Sequence, residues 1–183
     1  CTGDFYVGLS PNAGNPQKVQ RYPGEWANTL QEMAELDPQV LCGGHGGYLD
    51  DSEEIQTRLH KAKDYLNTIV EETLDALNQD SPPHVDIVHE VDLPNPSEPY
   101  LRELYDEGEF IVRNVIRQYG GWWTGRPSEL KPAPREELAA DLAELAGGAR
   151  ELATRADVLA GEGKFRRAAG LADFALEAAP DDE

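Results

Sequence analysis

A long helical repeat in the middle of the chain limits the possible folds more than any other feature. From Asp51 to about Gln79, apolar residues recur at alternating steps of four and three, and Asp51 with Glu54 forms a helix-start pattern. At ~1.5 Å per residue, such a helix is roughly 42 Å long. Because a small domain does not cover that length from within, we expect part of the apolar stripe to meet a second copy of the chain, where aspartate at Leu66 or Leu74 would be disruptive.

Residues 1–50 show a different pattern, typical of an α/β fold. A strand is predicted at Phe5–Val7, and the proline-rich stretch that follows, 9–23, is irregular. Helical spacing around Leu30 leads to a second strand at 39–42, which runs into a glycine-rich turn. We therefore predict that residues 1–50 are the last piece of an α/β domain.

Residues 51–183 are predicted to form a separate, all-α domain. A helix over 107–119 has a wide apolar face, and two glycines end it before an aromatic loop. A linker near 127–134 leads to alanine-rich helices. The spacing around Gly163 is similar to that of one tetratricopeptide repeat, which must pack on the preceding helices or on a partner because a single unit does not bury its own face.

Composition excludes some functions and leaves the location of the protein open. The 183 residues include 35 acidic and 16 basic ones, and the net charge of −19 argues against nucleic-acid binding. The two cysteines, Cys1 and Cys42, form no disulfide framework. No run of about 18 apolar residues is present, so no membrane span is predicted. Because the chain opens on Cys1, in what reads as the middle of a strand, we expect a fragment, and the absence of a visible signal peptide does not define localisation.

Two turns carry the residue types that bind metals. Asp4 follows Gly3 at a turn, and His45 lies between glycines in the turn 43–47. Zinc binds carboxylate oxygen and imidazole nitrogen readily, and glycines let the backbone pass close to an ion. Asp4 and His45 are therefore candidate metal ligands, although two residues alone do not complete a zinc site.

These motifs together resemble a known family. Thr2-Gly3-Asp4, the segment 11–22 (PNAGNPQKVQRY) and the Gly44-His45-Gly46 turn are similar to the second half of a metallo-β-lactamase-fold hydrolase of the alkyl sulfatase type. The segments 105–114 and 119–127 look like the helical dimerisation domain of that family. The resemblance implies the end of an αββα catalytic domain, followed by a helical domain that forms a homodimer.

The resemblance also implies a dinuclear zinc site. Asp4 resembles the aspartate that bridges the two ions, and His45 resembles the late histidine of the site. The family's upstream His-x-His-x-Asp-His loop is absent from the sequence, so this chain alone is expected to be inactive. Two positions depart from the family pattern. Gly43 replaces a proline, which should loosen the turn, and Arg126 replaces an asparagine, which puts any substrate contact from its loop in doubt.

In such an enzyme, zinc-activated water or hydroxide attacks a sulfate ester. Lys18 and Arg21 are the best-placed cations for the sulfate and Asn15 is a neutral donor, although all three could equally be ordinary surface residues. Two other functions remain open. The chain could be a helical interaction module without chemistry of its own, or a hydrolase of the same fold that acts on a lactone, a phosphodiester or an aryl sulfate.

Overall fold

A computed structural model describes residues 1–79 and 84–180, without the side chains of residues 84 and 85. The chain divides into two compact units, Cys1–Arg126 and Pro127–Glu183. The first unit contains α1 (Pro23–Glu35), β1 (Leu41–Cys42), β2 (Tyr48–Leu49), α2 (Ser52–Asn78), α3 (His84–Ile87), a short 3-10 helix (Pro99–Leu101) and α4 (Gly108–Gly120). The second contains α5 (Pro127–Leu130), α6 (Arg135–Ala146), α7 (Ala149–Gly161) and α8 (Phe165–Ala178). The division falls at the start of the predicted linker, and the assignment of 1–50 and 51–183 to two domains stays a prediction.

The long central helix is confirmed. α2 has 27 residues, and the Asp51 carboxylate caps it by accepting hydrogen bonds from the backbone N–H groups of Glu53 and Glu54, at 2.9 and 3.0 Å. Glu54 does not complete a reciprocal capping box, because its own carboxylate pairs with Arg58 on the next turn.

The stripe on α2 is mostly covered from within the chain, so the length of the helix does not by itself require a second copy. α1 packs along α2, and α4 also packs against it. Leu66 is completely buried in the core of the first unit, and the more distal Val70, Leu74 and Leu77 pack against that core. An aspartate at Leu66 would therefore unfold the unit rather than separate two copies.

The α/β character of residues 1–50 is weaker than the sequence predicts. No strand forms at Phe5–Val7; the N-terminal segment makes one parallel bridge, between Gly3 and Gly43, and then turns. The second predicted strand shortens to β1, which pairs antiparallel with β2. β2 leaves no signal in the sequence, because a strand of two residues is too short to show alternation. What the structure shows is a mainly helical fold with a small two-stranded sheet.

The helix predicted over 107–119 is α4, and Gly121 ends it with a φ of 84°, a left-handed conformation that favours glycine. Ile111, Val112 and Val115 are fully buried along its inner face. Arg113 and Arg117 lie on the exposed side of the same helix.

The second unit is built on small residues. α7 and α8 pack against each other across the short turn that contains Gly163, and α6 packs on both. The buried side chains include four alanines and two leucines: Ala139, Ala143, Leu152, Ala156, Leu159 and Ala168. The predicted helical hairpin is thus present, and it packs on the helix before it. Within the described ranges, no helix is long and apolar enough to cross a membrane.

Candidate functional site

The structure brings together the two turns that carry the predicted metal ligands. The backbone N–H of Thr2 donates to the carbonyl of Cys42 at 2.9 Å, and that of Gly44 donates to the carbonyl of Tyr6 at 3.4 Å. With the bridge from Gly3 to Gly43, these bonds fix the start of the chain along the glycine-rich turn. Residues forty positions apart in sequence therefore meet at one edge of the first unit.

Two glycines make this approach possible. A Cβ atom on Gly43 would lie 2.5 Å from the carbonyl oxygen of Tyr6, and one on Gly44 would lie 2.3 Å from Oδ1 of Asp4. Any side chain at either position would push the turns apart. The expectation that Gly43 loosens the turn does not fit this packing, because the backbone there lies closer to Tyr6 than a larger residue allows.

Asp4 and His45 face each other across the two turns. Oδ1 of Asp4 lies 3.3 Å from Nε2 of His45, and the side chains are 77% and 74% exposed. Donors ~2.0 to 2.2 Å from a tetrahedral zinc ion are separated by roughly 3.3 to 3.6 Å, so the pair fits two corners of a zinc site, as it also fits an ion pair. In the described part of the chain, no cluster of three or more His, Cys, Asp or Glu could hold a metal. The pair therefore fits a metal only as a partial ligand set.

The pair lies at the edge of a cleft of about 400 Å³. Val7, Leu9 and Tyr105 give the cleft an apolar wall, and Asn12 adds an amide group to the same lining. Oδ1 of Asn12 is buried without a hydrogen-bond partner among the described residues. A ligand that joins a polar group to an apolar chain matches this lining.

The proline-rich loop that forms part of the cleft is held by polar side chains from α4 and the segment before it. The carboxylate of Asp106, which is 2% exposed, accepts hydrogen bonds from the N–H groups of Gly14 at 2.6 Å and Glu107 at 3.0 Å. Burial raises the pKa of Asp106, and the backbone donors oppose that rise. Asn114 donates to the carbonyls of Ala13 and Arg21, at 2.8 and 2.7 Å. An irregular loop thereby gains a defined shape.

The three predicted substrate residues do not line this cleft. Asn15 and Lys18 line a separate, smaller cavity beside α4. Nε of Arg21 is buried without a hydrogen-bond partner in the described residues. The structure thus joins Asp4 with His45 but places Asn15 and Lys18 elsewhere, and the sulfate-binding role of all three stays a prediction. The departure at Arg126 has a structural counterpart, since its guanidinium pairs with Asp86 at 3.0 Å.

Comparison with known proteins identifies the family. Residues 84–183, more than half of the chain, match the family model described as alkyl sulfatase dimerisation. The chain belongs to this family.

The similar proteins found by comparison are named as alkylsulfatases. The chain is 29% identical over 166 residues to a linear primary-alkylsulfatase of Pseudomonas sp. (strain ATCC 19151), a match that covers 89% of this chain and 31% of that protein. Among solved structures, it is similar to the stereoselective inverting sec-alkylsulfatase Pisa1 from Pseudomonas sp., with a TM-score of 0.88 and 23% identity over 99% of this chain and 30% of the other. A double mutant of PisA1 gives a TM-score of 0.87 and 24% identity, over 98% and 29% of the two chains. At these identities the structures show a shared fold, and this chain spans less than a third of each relative.

Within this family member, sequence reasoning missed three residues of the cleft and its support. Asn12 and Tyr105 line the cleft, and Asp106 holds the loop. All three lie in segments that carry the resemblance, but no local pattern marks them as neighbours of Asp4. In the sequence, Tyr105 and Asp106 look like part of an ordinary polar loop, and nothing there indicates that the carboxylate is buried.

Proposed function

We propose that this chain forms part of a dinuclear zinc hydrolase that cleaves alkyl sulfate esters. The observation that carries the proposal is the juxtaposition of Asp4 and His45, 3.3 Å apart, at the edge of a cleft with an apolar wall. The membership of the alkyl sulfatase dimerisation family and the likeness to a linear primary-alkylsulfatase support it. The remaining metal ligands would come from outside the described residues, because these hold no larger cluster.

Zinc would supply a bound water with a pKa near 7, and hence a hydroxide nucleophile. The residues of this chain would hold the metal and fix the orientation of its ligands. Asp4 would bind through carboxylate oxygen and His45 through Nε2, the atoms that already face each other. Gly43 and Gly44 would keep the two turns in register, because any Cβ there collides with the opposite turn.

The cleft would bind the alkyl part of the ester. Val7, Leu9 and Tyr105 offer an apolar wall, and burial of a hydrocarbon chain contributes about 0.8 kcal/mol per methylene. Asn12 lines the same cleft, and the N–H groups of its side-chain amide would donate to the sulfate. Chain length would therefore affect binding more strongly than it affects the metal chemistry.

The test is sulfate release by the full-length protein from a series of alkyl sulfates. We expect kcat/KM to rise with chain length, and His45→Ala to abolish turnover while His89→Ala, at an exposed histidine that does not line the cleft, leaves it unchanged. Turnover of an aryl sulfate, a lactone or a phosphodiester in preference to alkyl sulfates would contradict the substrate assignment. Retained activity in His45→Ala would contradict the metal role.

Arg21 provides a separate test of sulfate recognition. If its guanidinium binds the sulfate, Arg21→Ala should lower kcat/KM by roughly ten- to a hundredfold, the loss expected when a charged hydrogen bond of about 1.5 to 3 kcal/mol is removed. Unchanged kinetics on an alkyl sulfate would make Arg21 a structural residue of its loop.

The family also favours association of the helical domain, and we propose a homodimer. The specific observation is the second unit, which leaves large apolar side chains exposed although its core is small. Leu145 is 84% exposed, Phe165 70% and Leu176 63%. Contact with a second copy would bury such residues.

Sedimentation measures the proposed dimerisation directly. The wild-type protein should sediment as a dimer at micromolar concentration, and Phe165→Asp should shift it toward monomer without loss of helical circular dichroism. Ala153→Asp, which places the same charge at an exposed small residue of α7, is the matched control. A folded wild-type monomer would end the proposal.

A further inference from the structure

Two adjoining cavities beside α4 have no part in the site described above. Arg113 and Arg117, one turn apart on the exposed face of the helix, line both. The first cavity, of about 110 Å³, has Asn15, Lys18 and Asn114 in its lining beside Pro16 and Phe110, and we call it the polar cavity for its charged and amide side chains. The second, of about 230 Å³, includes Ile116, Trp122 and Trp123. Asp4 and His45 line neither.

The polar cavity is cationic in a strongly acidic chain. Acidic residues outnumber basic ones by 35 to 16, yet the side chains of Lys18 and Arg117 have no carboxylate partner in the described ranges. Arg113 is paired with Glu109, with Nη2 to Oε1 at 3.0 Å, and no acidic residue is among those that line the cavity. Three cations against one carboxylate leave positive charge for an anion.

The second cavity adds an apolar wall next to these cations. Gly121 ends α4 with a positive φ, and the following loop contributes Trp122 and Trp123 to a cavity whose other lining comes from the last turns of the helix. Trp122 is 73% exposed and Trp123 is 40% exposed, so both rings offer apolar surface. Exposed tryptophans beside a cationic cavity are unusual on a plain solvated surface.

We propose that these cavities form one binding site for an anionic amphiphile, with the head group in the polar cavity and the alkyl chain along the tryptophans. The chemical class is an alkyl chain that ends in a sulfate, sulfonate or carboxylate. The two cavities share Arg113 and Arg117, so a single ligand can place its charge and its chain on either side of these residues. The site is separate from the Asp4 and His45 cleft and does not depend on hydrolysis.

Binding of decanesulfonate to the full-length protein tests the proposal, because hydrolysis does not cleave its carbon–sulfur bond. We would follow binding by titration calorimetry below the critical micelle concentration. Affinity should rise from hexanesulfonate to decanesulfonate, up to roughly fourfold per buried methylene. Inorganic sulfate and decanol should each bind at least roughly tenfold more weakly, because each offers one half of the ligand. Comparison with decanoate decides between a sulfur-based and a carboxylate head group.

Three variants locate the site. Arg117→Gln should weaken decanesulfonate and sulfate alike by roughly tenfold, whereas Trp122→Ala should weaken decanesulfonate and leave sulfate unchanged. Arg155→Gln, at an exposed arginine of α7, is the matched control. Because the Asp4 and His45 cleft would also bind decanesulfonate, His45→Ala should affect that binding event and leave the event that Arg117→Gln weakens. Full affinity in Arg117→Gln, loss in His45→Ala of the event that Arg117→Gln weakens, or dissociation of a dimer by Trp122→Ala would each overturn the proposal, the last by making this surface an interface between copies.

Discussion

The two units of the chain differ in what fills their interiors. The first unit has a core of large aliphatic side chains from several elements, such as Leu30, Ile55 and Ile111, all nearly or completely buried. The second buries mainly alanines and leaves leucines and a phenylalanine exposed. A core of large, closely packed side chains can hold irregular loops in fixed positions. A core of small side chains buries less apolar surface, which fits a unit whose exposed apolar residues are buried by contact with a partner.

The difference separates two tasks. In the first unit, the loop 11–22 and the turn 43–47 have little regular structure, yet hydrogen bonds from Asp106 and Asn114 and close glycine contacts fix them. In the second unit, the helices have their own hydrogen bonds and need little further support. The difference supports the two proposals that the chemistry belongs to the first unit and association to the second.

Truncation of a core leucine should give the largest contrast between the units. Leu66 is 0% exposed, so Leu66→Ala should lower the free energy of unfolding by about 2 to 5 kcal/mol. Leu145, 84% exposed, is the matched position, and Leu145→Ala should change the free energy of unfolding of the monomer by less than about 0.5 kcal/mol. Chemical denaturation followed by circular dichroism measures both, and similar losses would contradict the contrast.

Removal of the buried carboxylate should have the next largest effect. Asp106→Ala leaves the N–H groups of Gly14 and Glu107 without their acceptor, at a cost of about 1 to 3 kcal/mol. Amide exchange at Gly14 should speed up more than exchange in α2. Asp157→Ala, at an exposed carboxylate of α7, should change neither quantity. Unchanged exchange at Gly14 would show that Asp106 does not hold the loop.

The addition of a methyl group at Gly44 should have the smallest effect on stability. Its structural effect should be confined to the two turns that carry Asp4 and His45. In Gly44→Ala, the Cβ would lie 2.3 Å from Asp4 Oδ1, so the turns must separate, at a cost of about 1 to 2 kcal/mol. Gly47→Ala is the matched control, because nothing lies within 4 Å of its Cβ position. Chemical-shift changes confined to the two turns in Gly44→Ala, and absent in Gly47→Ala, would support the account. Equal changes in both would refute it.

Local sequence patterns predicted the helices well. Asp51 and the apolar repeat after it defined α2, and Gly121 marked the end of α4. The strand at Phe5–Val7 was wrong, because in place of a strand partner the segment has one bridge and a turn. Most of the α2 stripe packs on elements of the same chain and not on a second copy, since periodicity shows that a face is buried but not what covers it.

The candidate site was predictable only in part. The glycines around His45 and after Thr2 indicated two special turns, but their approach depends on contacts between segments some forty residues apart. The support from Asp106 and Asn114 comes from still farther along the chain, 92 and 101 residues from its targets. Such long-range pairs leave no local signal, so Asn12, Tyr105 and Asp106 could be found only in the structure.

The zinc content of the full-length protein tests the central claim most directly. The account predicts about two zinc ions per chain in the wild type, the loss of most of one in His45→Ala, and no loss in His89→Ala. The measurement is metal analysis of the purified, folded proteins. An undiminished zinc content in His45→Ala would contradict the assignment of His45 and, with it, the metal site at Asp4.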